Sequence, residues 1–130
     1  MQDARTIVQA YCDAWLAGDL ASVLDSYHAD LTLEWPGDHG LAGRYEGLDA
    51  SLNALARLAE VTRREPTVLR AVCAGDETVV AVVQERWSDD ESAILIERAL
   101  EFEVRDDHIA RCRIFEHHQP DVDRWIARHS

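Results

Sequence analysis

After Pro66 the apolar residues of this chain keep the period of two that is typical of β-strands. The four segments that follow alternate apolar and polar residues and are separated by short turns rich in Asp, Gly and Ser. They span residues 67–75, 77–88, 93–105 and 108–118. Because short turns join neighbouring strands in opposite directions, the second half of the chain predicts an antiparallel sheet.

The first half of the chain predicts mainly helices. Helices are expected at 3–18, 19–28 and 48–62, a strand at 29–37, a glycine-rich loop at 38–47 and a short terminal helix at 121–130. Asp3 and Asp19 are suitable N-caps for the first two helices. We therefore expect one α+β domain over residues 1–130. In it a curved antiparallel sheet packs against three N-terminal helices and encloses a cone-shaped pocket.

Charge and cysteine spacing exclude several classes of protein. The formal net charge is −12, so the surface repels nucleic acid and anionic membranes. The longest apolar run, 78–83, is too short to cross a bilayer, and the first residues lack the pattern of a signal peptide. Cys12, Cys73 and Cys112 are widely spaced without a CxxC pair. We expect reduced thiols in a cytoplasmic protein with no metal and no cofactor.

The stretch LTLEWPG, residues 31–37, contains one carboxylate beside one large aromatic residue. Side chains alternate between the two faces of a strand, so Trp35 shares a face with Leu31 and Leu33. The face with two leucines is expected to be the interior. The alternation therefore predicts that Trp35 points into the cone and that Glu34 points outward.

Two later segments place charged residues on apolar faces. In residues 93–105 Arg98 shares a face with Ile96, Leu100, Phe102 and Val104, and in residues 108–118 Glu116 and His118 share a face with Cys112 and Ile114. An unpaired charge inside a protein is very costly, so Arg98 or Arg86 needs either a carboxylate partner or a position at the rim of the cone. Glu116 is the natural candidate. Two readings remain open, a structural ion pair that closes one end of the cone and a site that orients an oxygen-rich substrate.

The segment 79–87 has apolar residues on both faces at its start, so alternation alone cannot choose the inner one. One face carries Gln84 and Arg86, and the other carries Glu85 and Trp87. The orientation of this strand therefore stays undecided on the residues alone.

Three stretches of the chain carry a resemblance to a known family. They are VQAYCDAWLAGDLASVLDSYHADLTLEWPG, GRYEGLDAS and LEFEVRDDHIARCRIFE. Together they resemble the nuclear transport factor two-like, or SnoaL-like, superfamily, which includes ketosteroid isomerase, polyketide cyclases, scytalone dehydratase and limonene epoxide hydrolase. The resemblance implies a cystatin-like roll and a small-molecule site, but one fold hosts many activities.

The resemblance places individual residues. It puts Tyr11 where steroid isomerases have an oxyanion donor, Trp35 where they have the general base, and Leu100 near their second donor. It turns the face with Gln84 and Arg86 inward. Arg86 also matches the arginine of limonene epoxide hydrolases, but Ser88 and Ile114 stand at the places of their two aspartates, which disfavours that activity.

These observations predict an enzyme that moves a proton on a small hydrophobic carbonyl compound, as an isomerase, cyclase or dehydratase. Tyr11 would stabilise the oxyanion, and Glu116 or a histidine would move the proton as acid or base. Residues expected to contact the substrate are Trp15, Trp35, Gln84, Arg86, Arg98, Leu100, Phe102 and His118. A ligand-binding module without turnover and a dimeric interaction protein are the alternatives. We also expect a homodimer through the outer sheet face, which should carry Trp87, Ala99, Arg113 and Phe115.

Overall fold

Four helices and six strands form the fold, and the structure, a computed structural model, describes residues 3–75 and 78–130. In chain order the elements are α1 (Ala4–Ala17), α2 (Leu20–Asp25), β1 (Tyr27–Trp35), β2 (Gly43–Glu46), α3 (Leu48–Val61), β3 (Arg63–Ala74), β4 (Val79–Ser88), β5 (Ala93–Arg105), β6 (His108–Glu116) and α4 (Gln119–His129). The predicted α+β class is confirmed. The predicted position of Glu77 in a strand lies outside the described residues.

The ends of the first two helices follow from local hydrogen bonds. Asp3 accepts the backbone N–H of Thr6 at 2.8 Å, and Asp19 accepts that of Ser22 at 3.2 Å, so both predicted N-caps are confirmed. Gly18 ends α1 in the left-handed conformation, with φ of 74°, which glycine adopts without a steric penalty. The second helix is shorter than predicted, because the chain turns into β1 at Tyr27.

The sheet has the strand order β2-β1-β6-β5-β4-β3 and curves without closing. Its neighbouring strands are antiparallel except for β1 and β6, which run parallel. The antiparallel prediction is therefore wrong for that one pair. β2 lies inside the predicted loop 38–47, and β3 begins at Arg63 rather than after Pro66. Pro66 is accommodated because β3 is an edge strand whose register shifts between Pro66 and Val68.

The core lies between one face of the sheet, called here the inner face, and the helices. α1 contributes Ile7, Val8 and Cys12 to it, and α4 contributes Trp125, whose indole N–H donates to the carbonyl of Val61. The polar residues described below lie on this inner face. Within the described residues no helix is both long and apolar enough to span a membrane.

Candidate functional site

The inner face of β4 is the opposite of the one expected from the resemblance. Glu85 and Trp87 are fully buried, whereas Arg86 is exposed and Gln84 is only partly covered. The cause is the register with β5, in which Arg98 lies directly opposite Val83. Directly opposed residues of an antiparallel pair point to the same side, so the inward Arg98 turns Val83 and Glu85 inward as well.

Four charged side chains cross the inner face in a row, one from each of β3, β4, β5 and β6. We call this row the ion chain; it consists of Arg64, Glu85, Arg98 and Glu116. Arg64 donates to both oxygens of Glu85, and Arg98 donates to Glu85 at 3.3 Å. Arg98 also donates to both oxygens of Glu116, from Nε at 2.7 Å and from Nη2. The ion chain is neutral overall, which is how four charges are tolerated in the interior.

The carboxylate of Glu85 remains ionised although it is buried. Burial alone would raise its pKa, but Arg64 and Arg98, together with the hydrogen bonds from Arg64 and Trp87, lower the pKa from 4.5 to about 2. The indole N–H of Trp87 donates to Glu85 at 3.1 Å. Because every polar group of this carboxylate has a partner inside the protein, Glu85 acts as a structural centre of the ion chain.

The predicted pair of Arg98 and Glu116 is present, and Arg98 is only 2% exposed. Its guanidinium also lies 5.3 Å from the ring centroid of Trp87 and 5.9 Å from that of Trp35. Both oxygens of Glu116 accept from Arg98, yet a carboxylate oxygen has two lone pairs. Within the described residues Arg98 alone donates to Glu116, so part of the hydrogen-bonding capacity of this carboxyl group is unused.

Two tyrosines lie at the Arg64 end of the ion chain. The hydroxyl groups of Tyr11 and Tyr27 are 2.8 Å apart, and the ring of Tyr11 packs edge-on against Phe102. Burial raises the pKa of Tyr11 well above 10, so its phenol stays protonated. One hydroxyl donates to the other, which leaves one phenolic proton of the pair free to bind a ligand oxygen. Trp15 packs on the guanidinium of Arg64, 5.1 Å from ring centroid to Cζ.

Trp35 and His39 lie at the other end, near Arg98 and Glu116. The prediction for the LTLEWPG stretch is confirmed: Trp35 is 2% exposed, while the Glu34 side chain is 20% exposed and pairs with Arg111 and Arg113 on the outer face. His39 follows in the loop between β1 and β2. Its ring centroid is 5.4 Å from that of Trp35.

Three predicted contact residues do not reach the inner face. Gln84 accepts from Thr67 at 2.9 Å, and Arg86 is exposed, so both belong to the outer side of β4. His118 lies beyond the end of β6, where it starts α4 and faces solvent. The prediction that His118 shares a face with Glu116 assumed that side chains alternate up to residue 118. The strand β6 ends at Glu116, so the alternation ends there too. Leu100 and Phe102 are buried on the inner face as predicted, as part of the core.

Four residues of the site were missed by the sequence reasoning: Arg64, Glu85, Tyr27 and His39. A signal for Glu85 was present, because the turn of residues 89–92 pairs Ser88 with Ala93 and so places Arg98 opposite Val83. Tyr27 was assigned to a helix, and Arg64 precedes the first predicted strand of the second half. His39 falls in the predicted loop 38–47, where its position indicates a surface residue or part of a lid over the cone.

The described residues offer no set of three or more His, Cys, Asp and Glu side chains that would hold a metal. Burial raises the pKa of Cys12 and of Cys112 to about 12, so neither thiol is a nucleophile at neutral pH. The polar chemistry of the inner face therefore comes from the tyrosines, the ion chain, Trp35 and His39.

Neither of the two cavities described next is lined by a residue of the ion chain. A cavity of about 780 Å³ lies where α1 begins, bordered by Asp3, Gly75 and Arg105, and neither Tyr11 nor Glu116 lines it. A second cavity, of about 340 Å³, is bordered by Trp35 together with Pro36, Ile114 and Phe115. Glu34, Arg44 and Arg113 also line it, so this cavity opens on the outer side of the sheet.

Comparison with known proteins identifies a family. The model of the SnoaL-like domain matches residues 8–112. No curated protein matches the chain.

Solved structures with the same fold are numerous but distant. A cystatin-like protein of unknown function from Xanthomonas campestris has a TM-score of 0.88 at 18% identity, with 96% of this chain and 98% of that chain covered. A protein from Xanthomonas campestris pv. campestris assigned as a polyketide cyclase has a TM-score of 0.69 at 24% identity, covering 96% and 95%. An LEH-like epoxide hydrolase from M. tuberculosis has a TM-score of 0.70 at 19% identity, covering 95% and 89%. At these identities the likeness shows the fold alone.

Proposed function

The chain belongs to the SnoaL-like domain family, and on that premise we propose that it binds a small hydrophobic carbonyl compound at its inner face and acts on it by proton transfer. The reaction class is that of an isomerase, cyclase or dehydratase. The observation that supports the proposal is a pair of phenolic hydroxyl groups and a buried carboxylate at the inner face, which also carries the rest of the ion chain. A carbonyl compound needs both, a donor for its oxygen and an acceptor for the proton of the adjacent carbon.

The tyrosine pair and Glu116 each keep hydrogen-bonding capacity for a ligand. The pair of Tyr11 and Tyr27 keeps one O–H available, and the raised pKa of Tyr11 keeps it a donor across the physiological range. Arg98 donates to both oxygens of Glu116, and the remaining lone pairs of this side chain would accept the proton of the ligand. Trp15, Trp35 and Phe102 supply aromatic surface for an apolar ligand.

One observation favours the second function, a binding module without turnover. The carboxylates of Glu85 and Glu116 are both fixed by arginines, and an arginine partner weakens a carboxylate as a base. In that case the same residues hold a ligand but move no proton.

Hydrogen exchange distinguishes the two functions before a natural substrate is known. A panel of polycyclic ketones and enones is incubated with the protein in D₂O, and deuterium at the carbon next to the carbonyl is measured by mass spectrometry. We expect at least one ketone to exchange faster than in buffer, and the exposed-site variant Arg86→Gln to match the wild type. Ligands that raise the melting temperature without any exchange would favour the binding module, and a panel without binding or exchange would contradict both.

We also propose that two copies of the chain associate through the outer face of the sheet. Leu95 and Phe115 are 60% and 46% exposed there, beside the charged rows of β5 and β6. Trp87, which was expected on this face, is buried inside and contributes nothing to it. Sedimentation at micromolar concentration should show a dimer for the wild type and a monomer for Phe115→Glu. A monomeric wild type would contradict this proposal.

A further inference from the structure

The C-terminal helix α4 is attached to the rest of the protein by polar contacts near both of its ends. Near its start, Asp123 accepts the backbone N–H of Asp38, in the loop after β1, at 3.2 Å. Near its end, His129 contacts Asp89 in the turn between β4 and β5. Of these two contacts, only the second contains a histidine, the residue type that changes its charge near neutral pH.

Both ring nitrogens of His129 lie at hydrogen-bond distance from an oxygen atom. Nδ1 is 2.7 Å from the backbone carbonyl oxygen of Trp125, and Nε2 is 2.5 Å from a carboxylate oxygen of Asp89. A neutral imidazole carries one N–H, so in either tautomer the lone pair of the other nitrogen would lie against an oxygen. Only the imidazolium, which donates from both nitrogens, satisfies both contacts. The geometry therefore favours the protonated ring.

The carboxylate of Asp89 keeps its negative charge in mildly acidic solution. One of its oxygens accepts the backbone N–H groups of Glu91 and Ser92, at 2.8 and 2.6 Å, and the other contacts His129. The hydrogen bond with His129, followed by those with the backbone, lowers the pKa of Asp89 from its ordinary value of 3.8. A change of pH near neutrality therefore acts on the ring of this contact and not on the carboxylate.

Other charged groups around the contact come from α4, from β3 and from the turn. Arg128 of α4 lies over the ring of Trp125, 4.9 Å from its centroid, and opposes a second positive charge nearby. Arg63 of β3 pairs with Asp90 of the turn at 2.9 Å, so these two charges offset each other. The carbonyl end of a helix carries partial negative charge, which favours a cation at His129. The His129 side chain is only 17% exposed, so solvent screens its contact with the turn incompletely.

We propose that the contact between His129 and Asp89 is a pH-dependent fastening that closes the last turn of α4 onto the core. When the ring loses its proton, one of the two hydrogen bonds becomes a contact between a lone pair and an oxygen, and the helix end separates from the turn. Because the closed contact requires the proton, its stabilisation is fully present below about pH 6.5, where a free histidine is charged, and is lost as the pH rises.

The last turn of α4 covers apolar surface that its release would expose. Trp125 and Ile126 are 2% and 0% exposed, and the indole N–H of Trp125 donates to the carbonyl of Val61 at the end of α3. The ring of His129 is itself stacked on that of Trp125, with centroids 4.4 Å apart and planes inclined by 21°. Acidification therefore tightens the cover over this part of the core, and alkaline solution loosens it.

Urea unfolding at about pH 5.5 and about pH 8.5 tests the fastening, with the equilibrium constant of unfolding as the readout. His129→Gln keeps an N–H donor but cannot carry a charge. We expect it to raise the unfolding constant at least ~10-fold at the lower pH, as for the loss of a hydrogen bond between charged groups, and less than ~3-fold at the higher pH. Asp89→Asn keeps an oxygen for the backbone N–H groups of the turn and should show the same dependence on pH.

His118→Gln is the matched control at the other end of α4. His118 also lies beside an aspartate, Asp121, at 3.1 Å, but its side chain is 59% exposed. We therefore expect its replacement to change the unfolding constant less than ~3-fold at both pH values. A His129→Gln effect of equal size at both pH values would assign to His129 a packing role only and overturn the proposal. A larger effect at the higher pH, or ¹⁵N chemical shifts of a neutral His129 ring at the lower pH, would overturn it as well.

Discussion

Replacement of Arg98 by methionine is expected to lower the free energy of unfolding by about 3–5 kcal/mol, the cost of breaking a buried ion pair from one side. The variant keeps the length and apolar stem of the side chain but removes the cation that binds Glu85 and Glu116. Glu116 then has no other basic partner among the residues described. Since a domain of this size is stable by about 5–15 kcal/mol, the loss is a large part of the total. Urea unfolding at pH 7 measures it.

Two control variants test whether the loss of stability comes from the buried ion pairs of Arg98. Arg86→Met removes an arginine from the exposed side of β4 and should change stability by less than about 0.5 kcal/mol. Arg98→Lys keeps the charge without the forked geometry, so an intermediate loss is expected. A stability of Arg98→Met within 1 kcal/mol of the wild type, on the order of a surface replacement, would show that the ion chain is not a structural unit.

Replacement of the two proposed catalytic groups is expected to have the largest effect on activity. Tyr11→Phe and Glu116→Gln should each slow deuterium exchange into a responsive ketone at least ~100-fold, as for the loss of a positioned donor or base. Tyr11→Phe removes one hydroxyl from the tyrosine pair and keeps its contact with Phe102. Glu116→Gln keeps the shape of the side chain and removes its ability to take a proton.

Circular dichroism and unfolding curves must show that both variants are folded. Glu97→Gln provides the matched control, since Glu97 pairs with Arg70 at the surface and should not affect exchange. Tyr27→Phe tells which tyrosine donates to the ligand: a smaller effect than that of Tyr11→Phe assigns the role to Tyr11. Unchanged exchange rates in both Tyr11→Phe and Glu116→Gln would leave ligand binding as the remaining function.

Some side-chain directions in this site follow from the sequence of a single strand, whereas others depend on how two strands pair. The directions of Trp35, Arg98 and Glu116 follow from alternation within a single strand, and all three are found as predicted. The direction of β4 depends on its pairing with β5, which a pattern within β4 does not contain. The resemblance gave the wrong face there, and with it Gln84 and Arg86 instead of Glu85.

Residues outside regular elements were harder to predict for a different reason. His39 lies in a loop whose position is set by Gln119 and Asp123, about eighty residues further along the chain. The sequence of the loop itself does not indicate its contacts with these distant residues. His118 was placed by extending β6 two residues too far, since the start of α4 takes the chain away from the sheet. The fold class could be predicted because the hydrophobic period extends over whole segments.

The arrangement of the ion chain has a consequence for how the protein folds. Arg64, Glu85, Arg98 and Glu116 come from four successive strands, and each charge is neutralised by a residue of the next strand. A partly assembled sheet that lacks β3 or β6 would bury a carboxylate or guanidinium with too few partners, so intermediates of that kind are disfavoured. We therefore expect the four strands to fold and unfold together as one cooperative unit.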